Sequence, residues 1–161
     1  MIETGTYFGH MVKATMHTFK RIYSIELDKV LYRRARRKFS KFSHIDIIHG
    51  DSSKILSELL SSISQPCLFW LDAHYSGGIS GRGDRETPIL NELQQILSHP
   101  VSNHIILIDD ARLFNGQNDY PNLGELKSLI SQYGQDYLME VKYDIIRIHK
   151  ARISENHGIK H

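Results

Sequence analysis

Short apolar runs alternate with longer amphipathic ones along almost the whole chain, and this alternation constrains the fold more than any other feature. Residues 21–26 (Arg-Ile-Tyr-Ser-Ile-Glu) read as a strand and 29–42 as a helix. A strand at 45–49 is followed by a helix at 52–63, and a strand at 67–71 by a helix at 87–98. Residues 104–108 give another strand, then 123–133 a helix. The helical runs carry apolar residues at three- and four-residue spacing, as Ile89, Leu90, Leu93, Ile96 and Leu97 do. The run at 67–71 is almost continuously apolar, which suits a strand covered on both faces. Strands joined through helices lie parallel and cross over right-handedly. The end differs, because the strands at 137–142 and 145–149 are separated by two residues. So short a link permits only an antiparallel hairpin. The sequence therefore predicts an α/β three-layer sandwich, with a mostly parallel sheet closed by an antiparallel C-terminal hairpin.

The start is abrupt. Met1-Ile2 reads as the stub of a truncated first strand, and residues 7–18 as the first helix. One domain is expected over 1–150, with a polar tail at 151–161. With 40% apolar and 24% charged residues, the chain can build an ordinary core. Lys and Arg (20) nearly balance Asp and Glu (18), a net charge of +2 that gives no ground for expecting nucleic acid as a partner. Cys67 is the single cysteine, so an internal disulfide and a cysteine-cluster zinc site are both excluded. No apolar run is long enough for a bilayer and no secretion signal is visible, so a cytoplasmic protein is expected.

Open α/β sheets bind ligands where their strands end, and here those ends are chemically loaded. Glu3-Thr4-Gly5-Thr6-Tyr7-Phe8-Gly9 is a strand-to-helix turn whose glycines allow close backbone approach, or merely make the turn. It is G-x-x-x-G, not the dinucleotide fingerprint G-x-G-x-x-G. Glu26 ends the next strand, about 20 residues on, where a carboxylate suits a ribose diol or is simply a solvated strand end. Asp51 and Ser52 follow the next strand and suit either a helix cap or an adenine contact. Asp72, Asp109 and Asp110 end two neighbouring strands. Such a group suits a hard divalent cation. Alternatively one carboxylate caps a helix and another pairs with Arg112 or Arg82.

Taken in order, Glu3 to Gly9, Ser24-Ile-Glu26, Gly50-Asp-Ser52, Leu71-Asp72 and Ile108-Asp109-Asp110 resemble the successive motifs of class I S-adenosylmethionine-dependent methyltransferases. The glycine variant and the paired acids are similar to the cation-dependent O-methyltransferases of catechol, caffeoyl-CoA and macrocin type. The resemblance spans Glu3 to about His149 and implies a Rossmann-like fold. It also implies that Glu3, Thr4, Gly5, Thr6 and Gly9 line the methionine end of the cofactor, that Glu26 holds the ribose, and that Asp51 and Ser52 flank the adenine with Asp72 nearby. Asp72, Asp109 and Asp110 would bind Mg²⁺, which holds and activates a substrate hydroxyl. Where catechol-type enzymes carry a lysine base, this chain has Ala73-His74-Tyr75, so Asp72 and His74 are the candidate catalytic residues.

The resemblance thus implies methylation of a small hydroxylated molecule, a sugar or a secondary metabolite. Two other readings keep less of it: methyl transfer without a metal, and a truncated non-catalytic domain that binds only cofactor or a partner chain. Self-association into a homo-oligomer is compatible with all three. The glycine-rich stretch 76–84 reads as a substrate loop or a plain connection. The basic run 33–38 forms the outer face of its helix, either solvated or facing an acidic or nucleic-acid partner.

Overall fold

The computed structural model describes residues 1–72 and 87–151. Its elements are β1 (Ile2–Thr4), α1 (His10–Thr15), β2 (Ile22–Glu26), α2 (Lys29–Phe39), β3 (Ile45–His49) and α3 (Ser52–Leu60). These are followed by β4 (Leu68–Leu71), α4 (Ile89–Leu97), β5 (Ile105–Ile108), a 3₁₀ turn (Ala111–Leu113), α5 (Leu123–Ser131), β6 (Tyr137–Lys142) and β7 (Ile145–Lys150). The sheet order is β3-β2-β1-β4-β5-β7-β6. The first five strands in that order pair parallel, and β7 joins β5 and β6 antiparallel. The expected sandwich with its closing hairpin is thus the observed one. The first strand is short, three residues, yet it lies at the centre and pairs on both sides.

Helix starts follow from their caps. Asp28 accepts from the amides of Val30 and Leu31, both at 2.8 Å, and so opens α2. Asn122 and Glu125 form a reciprocal capping box that opens α5. The first helix is shorter than the expected 7–18, because Tyr7 (φ 48°) and Gly9 (φ 69°) adopt left-handed backbone that no helix continues through. The hairpin link is Tyr143 and Asp144, both at positive φ, which matches the twist of the flanking strands.

Successive residues at the start of the chain feed two cores, one on each face of the sheet. Ile2 joins Leu56, Phe69, Leu93, Ile106, Leu126 and Ile146, beneath α3, α4 and α5. Met1 joins Val12, Met16, Ile22, Ala35, Phe39 and Ile45, beneath α1 and α2. At about 25 cal/mol per Å² of buried apolar surface, these two layers supply the main drive to fold. They also hold the strand ends at fixed heights. Among the described residues, no helix is long and apolar enough to cross a membrane.

Candidate functional site at the strand ends

Four backbone hydrogen bonds draw the rim. Gly50 N donates to Glu26 O (2.9 Å) and Gly5 N to Ile25 O (2.9 Å). Asp72 N donates to Thr4 O (3.0 Å) and Asp109 N to Leu71 O (3.1 Å). Residues more than a hundred positions apart in sequence therefore stand along one edge, at the ends of β3, β2, β1, β4 and β5. Gly5 (φ 85°) makes the sharp exit from β1. At Gly9 a Cβ would sit 2.6 Å from the Phe39 ring, so its smallness lets α2 pack against the turn.

Beneath the glycine turn lies a buried polar chain. The Ser24 hydroxyl donates to Glu3 Oε2, and Thr6 Oγ1 lies 2.6 Å from Ser24 Oγ. Burial pushes the Glu3 carboxyl up to about 8. Ser24 opposes the rise, while Asp72 and Glu26 add to it. Glu3 is therefore a neutral acid at pH 7, fixing the turn from below. Glu26, also buried, ties the turn to β2 from above: Oε2 accepts from Tyr7 N (2.7 Å) and Oε1 from Asp28 N (2.8 Å). Its pKa is raised, chiefly by burial. Each oxygen keeps a further lone pair, so the group can still accept from two hydroxyls.

Asp51 accepts from Ser53 N (2.9 Å) and caps α3, so the capping reading holds; Ser52 is the first helical residue and is buried. Asp72 and Asp109 flank a shallow cleft at the ends of β4 and β5, lined also by Thr87, Ile89, Phe114 and Tyr120. Burial raises the Asp109 pKa, and the nearby charges of Asp72, Asp110 and Asp144 add to this. Asp110 turns away into a left-handed residue (φ 58°) and pairs with Arg112 at 2.7 Å, as one sequence reading allowed. Among the described residues no three His, Cys, Asp or Glu side chains are grouped to hold a metal ion. Of the three aspartates expected to bind Mg²⁺, Asp72 and Asp109 line the cleft, while Asp110 opens the 3₁₀ turn and pairs with Arg112. His74, the candidate base, and the stretch 76–84 lie outside the described residues.

Two polar residues of α4 that hold the ends of β1 and α3 were missed from sequence. Glu92 of α4 is fully buried, its Oε2 accepting from Thr4 Oγ1 at 3.3 Å. Burial raises its carboxyl to about 7, against hydrogen bonds from Ser52 and Thr4. Gln95, one turn on, donates to Ser53 O at 2.6 Å. The signal was present: Glu92 lies on the same helical face as Ile89, Leu93 and Ile96, where a charge is out of place.

The geometry bears comparison with known proteins. An S-adenosylhomocysteine-bound methyltransferase from Podospora anserina superposes with a TM-score of 0.62 at 17% identity, covering 94% of this chain and 71% of that one. An O-methyltransferase from Bacillus cereus superposes at 0.64 and 12% identity, covering 94% and 73%. The chain has the class I methyltransferase fold. A probable ribosomal RNA small subunit methyltransferase A from Methanosarcina barkeri is 34% identical over 82 residues, 46% of this chain. The chain spans 29% of that relative's length. No protein-family model matches.

Proposed function

We propose that the class I rim binds S-adenosylmethionine and that the protein is a methyltransferase. The observation that carries this is the line of Gly5, Glu26, Asp72 and Asp109 along one edge of a sheet of this fold. The residues fit the cofactor: Gly5 leaves the backbone open to approach, and Glu26 is a buried carboxylate with lone pairs left for a ribose diol. Glu3, Thr4 and Thr6 shape the wall beside the methionine end, while Gly9 sets the turn against Phe39. Asp51 and Ser52 flank the adenine. When bound, the cofactor supplies an electrophilic methyl group.

The acceptor in this reading is the hydroxyl of a small molecule, a sugar or secondary metabolite, seated between Asp72 and Asp109. The two carboxylates orient the hydroxyl by hydrogen bonds, and fixed orientation accounts for much of the rate in a displacement of this kind. Asp109, with its raised pKa, takes up the hydroxyl proton. The test is transfer of labelled methyl to a panel of sugars and phenols by the wild type and by Asp109→Asn. The reading expects an O-methyl product whose formation falls at least about a hundredfold in the variant, with cofactor binding retained. Transfer that is undiminished in Asp109→Asn overturns this role.

One observation favours a second reading, a nucleic-acid acceptor. Lys29, Arg33, Arg34, Arg36, Arg37 and Lys38 of α2 are all exposed, and none pairs with a carboxylate among the described residues. Arg34 also lies over the Phe8 ring at 4.6 Å, beside the glycine turn. Label passing to RNA, and lost on reversing the charges of Arg33, Arg34 and Arg37, would select this reading.

A further inference from the structure

β6 ends the sheet on one side and, among the described residues, has a strand neighbour only in β7. Which of its backbone groups face outward follows from the hairpin. A two-residue link is flanked by a hydrogen-bonded pair, here Lys142 and Ile145, and bonded pairs then alternate along the ladder. The far end agrees, where Ala151 N donates to Asp136 O at 2.7 Å. Asp136, Leu138, Glu140 and Lys142 therefore turn their N–H and C=O groups to β7. Tyr137, Met139 and Val141 turn theirs to the open edge. The strand pairs with β7 residue for residue from Tyr137 to Lys142, with neither the bulge nor the proline that commonly protects an edge. Its apolar side chains also reach water: Leu138 is 51% exposed, Val141 46%, and Tyr143 in the link 80%. An open, regular, partly apolar edge is a template for a further strand.

We propose that the occupant is β6 of a second copy, paired antiparallel about a two-fold axis at Met139, so that two sheets join into one. Charge selects both this occupant and this register. With Met139 opposite itself, Asp136 of each copy faces Lys142 of the other, and both residues are exposed. Lys142 has no carboxylate partner in its own chain among the described residues. Asp136 also pairs with Lys150 of its own chain at 3.1 Å, and a carboxylate can accept from both. Tyr137 then faces Val141, an aromatic against a β-branched side chain, which is a favoured cross-strand pair. All three outward-turned residues find partners, giving about six backbone hydrogen bonds. An axis at Leu138 would set Asp136 against Glu140, and an axis at Glu140 would set that acid against itself. Like charges directly opposite are unfavourable. An axis at Val141 would draw Tyr143 into the ladder, where its left-handed backbone (φ 55°) does not continue a strand. A two-fold contact demands a self-complementary surface, which this strand supplies. The contact does not depend on what the strand-end rim binds.

The experiment is analytical ultracentrifugation of the full chain from micromolar to millimolar concentration. The wild type should pass from monomer to dimer. Val141→Pro removes an N–H that β7 does not use, so it should keep the wild-type circular dichroism yet stay monomeric. Lys142→Glu sets acid against acid twice and should raise the dimer Kd about tenfold or more. A crosslinking arm fixes the register in a Cys67→Ser background. Met139→Cys should oxidise to a disulfide-linked dimer, because bonded pairs lie about 5.5 Å apart between Cα atoms. Lys142→Cys should not, since its two copies lie about 20 Å apart in this register. A wild type that stays monomeric would overturn the inference, as would a dimer undiminished in both Val141→Pro and Lys142→Glu. Crosslinking by Lys142→Cys and not by Met139→Cys would overturn it too. If Val141→Pro fails to fold, Lys142→Glu and the crosslinking pair decide.

Discussion

Acid should weaken this fold through one residue at the end of the sheet opposite the candidate site. His104 is 4% exposed and its Nδ1 accepts from Cys67 N at 3.0 Å. That bond fixes the tautomer: the proton sits on Nε2, which lies 3.1 Å from His99 Nδ1. His99 then carries its own proton on Nε2, 3.0 Å from Leu60 O. Both rings are satisfied only when neutral. Burial, and then the neighbouring His99, lower the His104 pKa to about 4 from 6.5. The unfolded chain thus binds a proton that the folded chain refuses, so this stability is complete above pH 6.5 and is lost as pH falls towards 4. At about 1.4 kcal/mol per unit, the loss is about 2 kcal/mol by pH 5 and about 3 kcal/mol by pH 4. Glu3 and Glu92 oppose it, since their raised pKa values make acid stabilising. A comparison isolates the imidazole: His104→Asn keeps an acceptor near Cys67 N but does not titrate. In urea denaturation the variant should be less stable than wild type at pH 7.5, with the deficit shrinking by about 2 kcal/mol at pH 5. A deficit that stays constant from pH 8 to pH 5 would refute the neutral-pair argument.

Two further outcomes follow from the glycine turn. Gly9→Ala places a methyl against Phe39 and forces a left-handed alanine, and should cost about 2–4 kcal/mol in chemical denaturation. Glu3, with its pKa raised to about 8, contributes stability that is present in mild acid and lost as pH rises through 8. Glu3→Gln should therefore flatten the stability profile between pH 5 and pH 8; an unchanged loss across that window would place the titrating group elsewhere.

Much of this architecture could be read from the sequence because periodicity reports burial directly. Residues 67–71 are apolar throughout since β4 is covered by helices on both faces, and the two-residue link at Tyr143-Asp144 allowed nothing but a hairpin. The acids at strand ends were legible for the same reason: a charge can end a buried strand but seldom interrupt one. What the sequence hid was pairing through space. The sequence offered Arg112 as a partner for one of these acids, but nothing in the run Asp109-Asp110 says that a left-handed turn makes it the second. Nothing near Gly9 in the sequence says that Phe39, thirty residues on, fills the place where its side chain would be. Glu92 was visible as a charge on an apolar face, but its partners Thr4 and Ser52 belong to two other elements. Its burial could not be distinguished from a solvated kink without the fold.

The most direct measurement is the affinity of S-adenosylhomocysteine for the wild-type chain and for Glu26→Ala by calorimetry. The account predicts saturable binding, weakened in the variant by about 1–3 kcal/mol as hydrogen bonds to a buried carboxylate are lost. No heat at millimolar ligand, or equal affinity in the two proteins, would contradict it.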